Sequence, residues 1–143
     1  MKFKIKTKSF ANTVYINGIK GKRLIRDCCR DIFRFNKYII KISDPYLDQS
    51  ATECRLWKKI KTKDRKYFAS ILQSGKIVWR GNLVSYVIQP FIEGKSRLAT
   101  GKMKNRIREI CFKYNIDDVH FRTGNYLIVN RNKFKIVDYG IRK

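Results

Sequence analysis

The spacing of apolar positions changes period several times along the chain, and each change predicts an element. Residues 2–6 (KFKIK) alternate, residues 13–16 (TVYI) read as extended, and Asn17-Gly18 is a tight-turn dipeptide. Residues 28–35 (CCRDIFRF) and 38–42 (YIIKI) flank Asn36-Lys37 and predict a hairpin. Past Pro45 the period lengthens. Residues 48–60 predict a helix with Cys54, Trp57 and Ile60 on one face. Residues 64–72 predict a second, short helix opened by Asp64 as N-cap. Residues 76–80 and 83–89 predict a hairpin turning at Gly81-Asn82, closed by Pro90. A helix fits 98–114, with Met103, Ile107, Ile110 and Cys111 on its apolar face. Strands at 126–129 and 133–137, around a turn at 130–132, complete the order. Strands and helices are segregated along the chain, which predicts an α+β fold.

Composition narrows the class. A chain of 143 residues suits one domain with a real core. At 43% hydrophobic and 13% aromatic residues it is too apolar for a disordered tail. No apolar run is long enough to span a bilayer, and MKFKIKTKSF has no signal-peptide apolar core. The expectation is a soluble cytoplasmic protein with no membrane partner. Cys28, Cys29, Cys54 and Cys111 form no CxxC pair, and His120 is the lone histidine, so zinc is not expected. The thiols are expected reduced, as small buried hydrophobes.

Charge adds a second theme. The chain carries 34 Lys and Arg against 11 Asp and Glu, a formal net charge of +23. Such an excess attracts polyanions, and nucleic acid, an anionic membrane and an acidic protein partner are all allowed by it. A Lys-rich sequence can also reflect genomic base composition. Arg55, Trp57, Lys58, Lys59, Lys61, Lys63, Arg65, Lys66 and Tyr67 interleave cations with aromatics. Lys58, Lys59, Lys61 and Lys66 are therefore candidate phosphate contacts. The alternative is a solvated face whose aromatics turn inward. Lys102, Lys104, Arg106 and Arg108 form a weaker second cluster.

Several residues suggest a chemical site. FKIVDYG reads as a buried strand running into Asp138-Tyr139-Gly140, and Asn125 lies thirteen positions before Asp138. Both side chains offer the hard oxygen donors that Mg²⁺ prefers. Asp138 could also cap a strand end, and Asn125 could be a turn residue. Lys41 sits in an apolar strand, where a buried ammonium needs a partner; the alternative is an exposed edge lysine. Glu53 on the next helix could be a surface residue paired with Arg55 or Lys58. Of the adjacent Asp117 and Asp118 only one can point inward, and Asp118 is favoured. His120 could support its loop or act as a general base. Tyr139 and Trp79 are expected in the core.

Taken in order, YIIKI, ATECRLW, VIQPFIEG, DDVHFRTGN and VDYG resemble the protein kinase fold. The likeness covers about residues 28–140. It is nearest to the compact kinase-like proteins of bacteriophages and more distant from small-molecule phosphotransferases. The resemblance implies a minimal kinase-like fold in a single domain, 1–143. Residues 1–89 would form an N-lobe-like sheet plus helix, 90–94 a hinge, and 95–143 a truncated C-lobe. It implies ATP and Mg²⁺ as cofactors. Lys41 would neutralise the phosphates and Glu53 would orient Lys41. The backbone around Gln89, Phe91 and Glu93 would meet the adenine edge. Asn125 and Asp138 would hold Mg²⁺, and Asp118 would be the catalytic base. The acceptor would be Ser or Thr of a host protein, in the host cytoplasm if the chain is viral.

Three departures modify that expectation. Six residues separate Asp118 from Asn125, where the family has four. No glycine-rich loop precedes Lys41; Gly18 and Gly21 are the nearest candidates and read as turn glycines. Nothing after Gly140 corresponds to an activation loop or a peptide-binding platform, so the platform would come from elsewhere or not exist. The alternative function is a pseudokinase, a basic module for nucleic acid or an acidic host protein without catalysis. A helix-turn-helix DNA binder is a more distant alternative, because strands dominate the first half.

Overall fold

A computed structural model of the chain describes residues 2–8, 10, 12–24, 30–116 and 125–139. The described residues are α+β, mostly antiparallel strands with few helices. The chain divides into two compact units, Met1–Cys54 with Ile71–Phe91, and Arg55–Ser70 with Ile92–Lys143. One boundary, Phe91/Ile92, falls inside the predicted hinge. Residues 55–70 group with the second unit, although sequence order put them in the first 89 residues.

The first unit holds two sheets. Strands β1 (Ile5–Lys8), β2 (Thr13–Ile16) and β3 (Ile19–Lys20) form an antiparallel meander. Strands β4 (Lys22–Leu24), β5 (Arg30–Phe35), β6 (Tyr38–Ser43), β7 (Gln73–Trp79) and β8 (Asn82–Pro90) form a sheet ordered β4-β5-β6-β8-β7. Asn17 and Gly18 have φ of 51° and 81°, and Arg80 and Gly81 have φ of 51° and 80°. Positive φ at both central residues is what a two-residue hairpin turn requires. The second turn sits one residue before the expected Gly81-Asn82, because Asn82 already pairs with Trp79.

Cross-strand partners share a face, and this sorts β6. Ile40 lies between Phe33 and Ile88, and all three belong to a buried apolar cluster with Phe3, Trp79 and Val84. Lys41 lies between Ile32 and Val87 on the opposite face, with Arg30 and Ser43 paired one step along it. Helix α1 (Gln49–Lys59) follows, and the turn before it is fixed by the Asp44 carboxylate, which accepts the Tyr46 and Leu47 N–H groups. Around α1 the chain buries Ser50, Glu53, Leu56 and Ile60, whereas Cys54 and Trp57 are half-buried. The expected apolar stripe is therefore rotated by about one residue. Two polar side chains take the inner face because partners wait for them there.

The second unit takes the chain from Arg55, within α1, and contains a short 3-10 helix (Thr62–Tyr67), α2 (Gly101–Lys113), β9 (Tyr126–Asn130) and β10 (Lys133–Ile136). The expected helix at 64–72 is shorter, is 3-10 in kind, and begins after Lys61, so Asp64 is not its N-cap. Asp64 is instead buried, accepting from Lys113 Nζ at 2.7 Å and from the Tyr114 hydroxyl. On α2, Ile107, Ile110 and Cys111 are buried as the period predicts. Strands β9 and β10 pair antiparallel with an irregularity at Lys133/Phe134. Ala69 N–H donates to the Ile136 carbonyl at 2.9 Å, and the Tyr139 hydroxyl donates to the Ala69 carbonyl at 2.7 Å. Phe68 meets the edge of Tyr139, which is fully buried.

Candidate functional site

In the first unit the sheet face opposite the apolar cluster carries an ionic group. Lys41 and Glu53 are ion-paired, Nζ to Oε2 at 3.4 Å, with side chains 1% and 0% exposed. Arg30 Nη1 meets the other carboxylate oxygen, Oε1, at 2.5 Å, and its side chain is 4% exposed. Ser50 ties the group to the backbone. Its hydroxyl donates to the Lys41 carbonyl at 3.0 Å and accepts from Arg30 at 3.4 Å. Its N–H donates to Ser43 Oγ at 2.7 Å. Lys41 and Glu53 are thus brought together on β6 and α1, and both surface alternatives are excluded. Arg30 was missed. Its signal was weak but present: a cation two positions before Ile32, on the strand face that also presents Lys41.

The expected adenine-contacting stretch is partly committed. Gln89 is fully buried, paired with Ile39 on the Lys41 face of the sheet. Phe91 N–H donates to the Lys37 carbonyl at 2.7 Å, and the Arg34 guanidinium lies 3.6 Å from the Phe91 ring centroid. That amide is therefore already used within the first unit. Glu93 belongs to the second unit and is exposed. Next to it, a Cβ on Gly94 would lie 3.0 Å from Leu127 Cβ, so glycine permits the two-way Lys95–Ile128 backbone pairing.

In the second unit Asn125 and Asp138 are neighbours. The Asn125 carbonyl accepts the N–H groups of Val137 and Asp138 at 2.9 and 3.0 Å. Both residues are half-buried. The buried Tyr139 anchors the chain directly after Asp138. Among the described residues no cluster of three or more His, Cys, Asp or Glu forms. Asparagine and aspartate side chains carry oxygens of the hard kind that Mg²⁺ accepts.

The remaining expectations separate. Asp118, with Asp117 and His120, lies outside the described residues, as do Cys28 and Cys29. Gly18 is a turn glycine, as read. Gly21 is different: a Cβ there would lie 2.3 Å from the Phe35 ring, so it is a packing glycine. Lys58, Lys59, Lys61 and Lys66 are all exposed. The aromatics that flank them are engaged, Trp57 beneath Arg65 at 4.6 Å and Tyr67 stacked on Phe134 at 5.3 Å. No helix among the described residues is long and apolar enough to cross a membrane. No known family model matches the chain, and no curated protein matches it.

Proposed function

We propose that this chain is a minimal kinase-like protein that binds ATP with Mg²⁺. The observation that carries the reading is the buried Lys41–Glu53 pair. A buried ion pair is rarely a gain in stability over apolar residues of the same volume. Retaining one on a strand and the following helix, where the kinase resemblance puts its phosphate-contacting lysine, favours a functional reason. In this reading Lys41 donates to nucleotide phosphate oxygens. Glu53 fixes the ammonium, and Arg30 fixes Glu53. Asn125 and Asp138 supply the protein's oxygen ligands. When bound, Mg²⁺ neutralises charge on the β- and γ-phosphates. Phosphoryl transfer would further need a base, for which the sequence offers Asp118, and a hydroxyl acceptor.

Thermal unfolding tests the binding. A ligand of the folded state at 100 times its Kd stabilises by about 2.7 kcal/mol. ATP with Mg²⁺ at millimolar concentration should raise the melting temperature by several degrees. Lys41→Met in the first unit and Asp138→Ala in the second should each abolish that shift while the proteins remain folded. Absence of any shift in the unaltered chain would overturn the reading and leave the basic binding module in its place. If the shift is present, label transfer from γ-labelled ATP, and its loss in Asp118→Asn, separates kinase from pseudokinase.

A further inference from the structure

The second unit has a groove that the nucleotide reading does not use. It encloses about 440 Å³ and is lined by Tyr67, Thr100, Lys102, Arg106, Arg131 and Phe134, among others. Three of these are cations, and no carboxylate is found among the described residues that line it. We propose that this groove binds single-stranded nucleic acid.

Two chemistries meet there. Lys102, Arg106 and Arg131 are exposed cations suited to phosphate oxygens. Glu109 lies 3.4 Å from Arg106, but both side chains are more than half exposed, at 55% and 68%, so solvent weakens that pair. The second chemistry is a pre-ordered aromatic platform. The Tyr67 ring stacks on Phe134 with centroids 5.3 Å apart and planes at 13°. Lys66 Nζ lies 5.2 Å and the Arg106 guanidinium 5.9 Å from the centroid of the same ring. Phe134 covers one face of the half-buried ring, so a base stacks on the other and takes the place of the cations that lie over it. An acidic peptide would use the cations but not the ring. A duplex would offer phosphates but keep its bases paired inside the helix. An unpaired strand satisfies both, since base–aromatic stacking tolerates any sequence. Of the 34 Lys and Arg, 20 fall in the second unit with 6 of the 11 Asp and Glu, a formal +14 against +9 in the first. An attractive field of that sign draws a polyanion toward the groove.

The experiment uses the full chain without nucleotide and a fluorescein-labelled oligothymidylate, read by anisotropy across a salt series. The logarithm of affinity should fall linearly with the logarithm of salt concentration. Each neutralised phosphate contributes about 0.7 to the slope for a single strand. The Lys102→Gln/Arg106→Gln/Arg131→Gln variant should lose about 2 from that slope. Tyr67→Leu, which keeps apolar contact with Phe134, should bind roughly ten-fold or more weakly with its slope unchanged. Far-UV circular dichroism establishes that both variants are folded. The proposal is overturned by no binding at low salt, by an unchanged slope in the triple variant, or by a duplex binding as tightly as the single strand. It is equally overturned if polyglutamate competes as well as the oligonucleotide and binds Tyr67→Leu undiminished, which would assign the groove to an acidic protein.

Discussion

Glu53 is the residue on which the first unit's site turns. Its carboxylate is fully buried and accepts from both Arg30 and Lys41. Removing one member of a buried pair leaves an uncompensated charge in a poor solvent for it. Glu53→Gln should therefore cost about 3–5 kcal/mol in equilibrium denaturation. Replacing Arg30, Lys41 and Glu53 together by Met, Met and Leu should recover part of that loss, because no charge is then left buried. The recovered protein should show no response to ATP. Full nucleotide response in that triple variant would remove the group from the site. At this scale the sequence was readable where an oddity stood out: a lysine in YIIKI and a glutamate on the helix after it. Arg30 was harder to read, since its role depends on the register that pairs it with Ser43 and turns it toward α1.

Among the elements, the 3-10 helix and α2 are tied by one carboxylate. The hydrogen bond from Lys113, and then that from Tyr114, hold the Asp64 pKa below its ordinary 3.8. Burial first, and then the bond to Asp64, push the Tyr114 phenol up. A carboxylate whose pKa is depressed by folding contributes fully above its unfolded value. That contribution is lost as pH falls through the folded value. The second unit should thus lose stability on acidification below about pH 4, and Asp64→Asn should flatten that acid limb. Denaturation curves from pH 2.5 to 6 would check it; an unchanged acid limb in the variant would refute the tie. The sequence offered Asp64 as an N-cap because acids before a helical period often are. It could not reveal that Lys113 and Tyr114, some fifty positions later, fold back to compete for the same oxygen. The face of α1 was misread for a related reason: an apolar stripe is the usual guide to burial, and here ionic partners override it. The hairpins were legible, because turn dipeptides and alternating strands are local signals.

At the scale of the whole chain, the net charge of +23 acts on stability before any ligand arrives. Like charges repel at low ionic strength, and added salt screens them over a Debye length of about 10 Å at 0.1 M. The melting temperature of the unliganded protein should rise between about 10 and 150 mM sodium chloride. A fall over that range would mean that attractive pairs outweigh the repulsion. The division into two units was only partly readable. One boundary, Phe91/Ile92, lies within VIQPFIEG, and the grouping of residues 55–70 with the later chain rests on long-range pairing, such as Phe68 with Ile136, that no local pattern announces.

The placement of the two tryptophans gives each unit its own optical reporter. Trp79, in the first unit, is 4% exposed, lies edge-on to Phe33, and donates its indole N–H to Asp31 at 2.9 Å. Trp57, in the second, is half-buried with the Arg65 guanidinium 4.6 Å from its ring. Fluorescence from a Trp57→Phe variant should be blue-shifted and should follow unfolding of the first unit alone. Emission from Trp79→Phe should be redder and more readily quenched by iodide, and should follow the second. Superimposable denaturation curves from the two variants would establish that the units unfold as one, whereas separated midpoints would assign a stability to each.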